Sequence, residues 1–124
     1  MPVIRHAESR RTATPNAVMT THASPTQGGA GLAVWRVEMA PSASGPAHTF
    51  DVEQVWTVLD GGATVELDGE RHTVEPGDTL VLPAGLRRRV HADAGAGFTA
   101  VVAAPAGAMA TPVGGEPVLP PWIA

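Results

Sequence analysis

Residues 76–85 read PGDTLVLPAG. Pro76-Gly77 is a turn signal, Thr79 to Leu82 is a short apolar run, and Pro83 to Gly85 closes it with a second turn. Four residues between two such breaks are too few for a stable helix and enough for a strand. Working outward, QVWTVLDGG (54–62) is a second strand running into a turn. ATVELDGE (63–70) alternates Val65 and Leu67 with Thr64, Glu66 and Asp68, and its Asp68-Gly69 pair is a hairpin signal. LAVWRVEMA (32–40) puts Trp35, Val37 and Met39 on one face and Arg36 and Glu38 on the other. LRRRVHAD (86–93) and GFTAVVAAP (97–105) complete the set. No amphipathic helix of ten residues and no internal repeat is visible. Short strands at regular spacing with Gly, Pro and Asp between them give an all-β fold, a sandwich or small barrel.

The chain has 124 residues, the size of one domain with one core. Three segments are expected: a polar N-terminal arm over 1–31, a barrel over 32–105, and a Gly/Pro-rich tail over 106–124 that forms an extended wrap or a loose end. Within the arm, a short extended piece is expected between Pro15 and Pro25. All eight basic residues are arginine and the net charge is -4, so no nucleic-acid footprint is present. With no cysteine there is no disulfide framework, thiolate metal site or cysteine nucleophile. MPVIRHAESRR lacks the apolar run of a signal peptide, and no segment approaches the roughly 20 apolar residues that span a bilayer. A cytoplasmic protein with no membrane partner is expected.

Two stretches carry more than fold class. In AHTFDVEQVWTVLDG (47–61), His48, Phe50, Gln54 and Gly61 have the spacing of the first cupin motif, H-x-H-x3-E-x6-G. In PGDTLVLPAGLRRRVHA (76–92), Gly77, Pro83, Gly85, Arg88 and Ala92 have the spacing of the second, G-x5-P-x-G-x2-H-x3-N. The chain resembles a small single-domain cupin over about Leu32 to Ala104. The resemblance implies a cupin-type double-stranded β-helix (jelly-roll) barrel with an extended N-terminal arm. It also implies a homodimer, commonly built by packing or exchanging such arms.

Cupins typically hold a divalent metal through two His and one Glu of the first motif and one His of the second. Only His48 matches. Phe50 stands at the second histidine, Gln54 at the glutamate and Arg88 at the second-motif histidine. Phenylalanine has no donor atom, and arginine carries a fixed positive charge and no free lone pair. No cofactor is expected; a divalent cation, if present, would use His48 and Gln54 with a further histidine. Strand alternation puts Arg88 on the inward face with Val90 and Ala92, while Arg87, Arg89 and His91 face out. Three states of Arg88 stay open: a solvated strand end, an internal ion pair with Asp51, Glu53 or Glu66, or a site for a ligand anion. The candidate catalytic residues are His48 and Arg88, and the candidate ligand contacts are Gln54, Glu53, Phe50 and Trp56. They fit a small-molecule pocket serving a metal-independent isomerase, cyclase or lyase. The alternatives are a non-catalytic ligand-binding cupin and a metal-dependent dioxygenase or isomerase with an unusual ligand set.

Overall fold

The computed structural model describes residues 3–124; Met1 and Pro2, the start of the expected arm, lie outside the described residues. The strands are β1 (Arg10–Ala13), β2 (Val18–Ala23), β3 (Leu32–Met39), β4 (His48–Phe50), β5 (Gln54–Gly61) and β6 (Ala63–Leu67). They continue with β7 (Glu70–Val74), β8 (Thr79–Leu82), β9 (Arg88–Ala92), β10 (Phe98–Pro105) and β11 (Ala110–Pro112). A single 3-10 turn at His6–Glu8 is the helical content among the described residues. Two antiparallel sheets face each other. One has the order β1-β2-β3-β10-β5-β8 and the other β11-β4-β9-β6-β7. This is the all-β, cupin-type double sheet that the two motifs imply.

The period-two pattern decides which residues meet between the sheets. On β3, Ala33, Trp35, Val37 and Met39 are buried while Leu32, Arg36 and Glu38 are exposed. On β10, Phe98, Ala100, Val102 and Ala104 alternate inward in the same way. The register between β10 and β5 shifts at Thr99/Ala100, so Val58 stays inside and Leu59 and Asp60 turn out. Much of this core is alanine and valine.

The arm belongs to the sheet of its own chain: β2 pairs with β3, and β1 is left as the outer edge. The tail is fastened as well. Its β11 pairs with β4, Ile123 is fully buried, and the Trp122 carbonyl accepts the Thr21 hydroxyl at 2.7 Å. The Ala124 main-chain oxygen accepts from Ser24 Oγ, Thr26 Oγ1 and Arg10 Nη2.

Two turns depend on glycine for different reasons. Asp68 (φ 48°) and Gly69 (φ 85°) form the paired left-handed turn that joins β6 to β7, with open space around Gly69. Gly61 (φ 68°) ends β5 with its Cα against the Gly97 carbonyl, so a methyl group there would overlap main chain that is not free to move. Gly69→Ala is expected to cost about 1 kcal/mol, the backbone strain alone. Gly61→Ala is expected to cost about 2–4 kcal/mol, strain plus overlap. Denaturant midpoints of the two variants check the difference; equal losses would contradict the close approach at Gly61.

Candidate functional site

The first motif sits on β4 and β5, in opposite sheets, and the second-motif position 88 sits on β9. His48 and Arg88 are directly opposed across the β4–β9 pair, so their side chains share the inward face. Phe50, two residues along β4, points the same way. Gln54 starts β5 on the facing sheet. Together they form one end of a cavity of about 490 Å³, whose lining also includes Trp35, Trp56 and Trp122.

Arg88 is not a solvated strand end: 3% of its surface is exposed. Its two neighbours Arg87 and Arg89 are exposed, as strand alternation requires. Arg88 Nη2 donates to Gln54 Oε1 at 2.7 Å, a bond that ties the two sheets together. The Phe50 ring lies under the guanidinium, 4.4 Å from Cζ to the ring centre, a cation–π contact. Gln54 is fully buried, and its Oε1 also accepts from Trp56 Nε1 at 3.1 Å. Two donors on one atom fix the orientation of that amide. The positions that depart from the metal motif therefore form one connected cluster, with a guanidinium at its centre.

The internal ion pair expected as one option does not form. Glu66 is bonded to His91 Nε2 at 3.0 Å and lies 3.9 Å from Arg71. Asp51 Oδ1 accepts from the Met109 amide. Glu53 is exposed and lies outside the cavity lining, because the β5 register that turns Gln54 in turns Glu53 out. Glu53, an expected ligand contact, is thus turned away from the barrel cavity. Arg88 thus has no carboxylate partner among the described residues. Burial lowers its pKa to about 10, so it is still charged at neutral pH. Two buried donors, Arg88 Nε and Gln54 Nε2, have no acceptor at all. Each such orphan costs on the order of 1–3 kcal/mol.

His48 is held by a 2.7 Å contact between Nδ1 and the Pro46 carbonyl. A carbonyl accepts only, so the proton of the neutral ring is on Nδ1 and Nε2 carries the lone pair. Burial lowers its pKa below 6.5, the Pro46 bond raises it, and the Arg88 charge lowers it further, for a net fall. His48 is thus a neutral base with its proton-accepting atom fixed. Its ring meets the Phe50 ring edge-on, with centroids 5.2 Å apart.

The residues at the metal positions do not suit a divalent cation. His48 Nε2 is the one nitrogen free to ligate; Gln54 Oε1 already takes two hydrogen bonds, Phe50 offers nothing, and Arg88 repels a cation. His48 and Gln54, envisaged as ligands of a bound cation, thus do not by themselves make more than a weak site. Nor do the remaining histidines complete it. His91 faces out against Ser44 and Glu66, and His72 is exposed beside Glu70. No group of three or more His, Cys, Asp or Glu is placed to hold a metal among the described residues.

Comparison with known proteins agrees with this frame. The model of the cupin domain family matches residues 35–103, more than half of the chain. The chain is a cupin. None of the curated proteins matches it. Among solved structures, this cupin is similar to the polyketide cyclase RemF of Streptomyces resistomycificus, at 21% identity over 85% of this chain and 79% of that one, with a TM-score of 0.72. It is similar to KdgF of Halomonas sp., at 21% identity over 85% and 94%, with a TM-score of 0.69. It is also similar to one third of a salicylate 1,2-dioxygenase of Pseudaminobacter salicylatoxidans, at 19% identity over 86% and 33%, with a TM-score of 0.73. At these identities the likeness is one of fold. No helix among the described residues of this cupin is long and apolar enough to cross a membrane.

Trp35, Trp122 and the tail prolines are cavity residues that the motif spacing does not reveal. Trp35 was legible as inward-facing on β3, but not as part of the site. A lone tryptophan in a Gly/Pro-rich tail is the one sequence signal that 106–124 docks on the barrel.

Proposed function

We propose that this cupin binds a small organic acid, or another molecule presenting an oxyanion, inside the barrel and moves a proton on it. The observation that carries this reading is the buried guanidinium of Arg88, which meets a neutral amide where a protein carboxylate would normally stand. A buried, unneutralised cation lowers stability unless something uses it. Nη2 is the one Arg88 nitrogen with a protein acceptor, which leaves Nη1 for a ligand oxygen.

The chemistry follows from the two side chains. His48 Nε2 takes a proton from a carbon beside a carbonyl or carboxylate. The C–H electron pair moves into the carbon–carbon bond, and the carbonyl pair moves onto oxygen. Arg88 donates to that developing negative charge in an apolar cavity, where such a bond is strongest. Return of the proton to another carbon gives an isomerisation; expulsion of a leaving group gives an elimination; attack on a second carbonyl of the same molecule gives a cyclisation.

Deuterium wash-in tests this reading. Small organic acids with a C–H beside a carbonyl are incubated with the protein in D2O and followed by NMR. The expected result is protein-dependent exchange at that carbon for the acids that bind. Arg88-dependent binding with no exchange and no chemical change would instead support a non-catalytic binding cupin. One observation favours that second reading: His48 is the single cavity-lining side chain that titrates near neutral pH, so no separate acid stands opposite the base.

A further inference from the structure

We infer, building on the proposed function, that the ligand is a flat conjugated ring system with its carbonyl or carboxylate oxygens at one end. The aromatic residues of the chain are few: three Trp and two Phe. Four of the five, Trp35, Phe50, Trp56 and Trp122, line this one cavity. The fifth, Phe98, lies behind Trp56, nearly parallel to it at 15° with centroids 6.2 Å apart. Elsewhere the core is filled largely by alanine and valine. Aromatic side chains are thus concentrated where there is space to fill, not where the sheets pack. They arrive from β3, β4, β5 and the tail, so the walls come from separate parts of the chain.

Ring walls favour a ring-bearing ligand, because aromatic pairs gain energy beyond the area they bury. A cavity of about 490 Å³ lies inside the roughly 300–1,000 Å³ range that encloses drug-sized molecules. Its polar groups set the other half of the ligand's character. Trp56 Nε1 is taken by Gln54, and Arg88 is the one charged donor on the lining. The facing acceptor is His48 Nε2. Such a site, almost wholly apolar apart from Arg88, Gln54 and His48, matches an apolar ring system that carries its oxygens at one end.

The test uses two acids with one carbon skeleton. 2-Naphthoate is flat; decahydro-2-naphthoate is its saturated, puckered counterpart and at least as apolar. Calorimetric titration is expected to give a Kd about tenfold lower for 2-naphthoate. Trp122→Leu, a change in the half-exposed tail, is expected to weaken 2-naphthoate more than the decahydro acid and so to narrow that preference. Equal affinities, with both lost in Arg88→Met, would overturn the ring inference and leave the oxyanion reading standing. Binding of neither acid, or binding indifferent to Arg88→Met, would overturn the oxyanion reading itself.

Discussion

Arg88→Met is expected to raise the stability of the protein and to remove its affinity for organic acids. Both effects follow from the same geometry. The guanidinium is buried, has one neutral acceptor and leaves Nε without any. Methionine has a similar length and no charge to desolvate, and it can lie on Phe50 as the guanidinium does. Gln54 keeps its bond from Trp56. Replacing an uncompensated buried charge by an apolar side chain is expected to gain about 1–3 kcal/mol, a rise of several degrees in Tm. The same change removes the one cation that faces a ligand oxygen, a loss of roughly 30-fold or more in affinity. A residue kept for structure alone would lower Tm when replaced. Gln54→Glu approaches the question from the other side. A carboxylate at 2.7 Å from Nη2 would neutralise Arg88 internally, so acid binding should fall although the arginine remains.

The second large effect is on proton transfer. His48→Asn retains an amide N–H to bond the Pro46 carbonyl but has no basic nitrogen. Wash-in of deuterium is expected to fall about 10²- to 10⁴-fold, with ligand affinity nearly unchanged. The pH profile gives an independent sign. The folded pKa of His48 lies below 6.5, first through burial and also through Arg88, so the base form persists as pH falls past 6.5. Exchange should therefore hold at pH 6.5 and decline only at lower pH, through the folded pKa. In Arg88→Met one of the lowering influences is gone, and the pKa of His48, followed by its ring protons in NMR, should move upward. A decline centred at or above pH 6.5 in the native protein would count against His48 as the base.

Most of the barrel was legible because its residues obey a local rule. Period-two alternation on β3, β5 and β9, with Asp68-Gly69 and Pro76-Gly77 between strands, needs no long-range information. The same rule placed Arg88 and Gln54 inside and Arg87 and Arg89 outside. The edges were less legible. β1 is a short polar segment whose strand state comes from its hairpin with β2, and β11 is a Gly/Pro-flanked segment that depends on β4, a partner far away in the sequence that composition does not reveal. The site was legible as a list of positions but not as a set of contacts. Asp51, Glu53 and Glu66 were equal candidates to meet Arg88, and only the register shows that all three are occupied elsewhere or face away. That Phe50 packs on the guanidinium likewise depends on the inward pairing of β4 with β9.

The most direct measurement is a thermodynamic cycle on the charge itself. 2-Naphthoate and its neutral isostere 2-naphthamide are titrated calorimetrically into the native protein and into Arg88→Met. The expected result is a preference of at least about tenfold for the acid in the native protein, vanishing in the variant. Equal affinity of acid and amide in the native protein, or a preference that survives the loss of Arg88, would contradict the account.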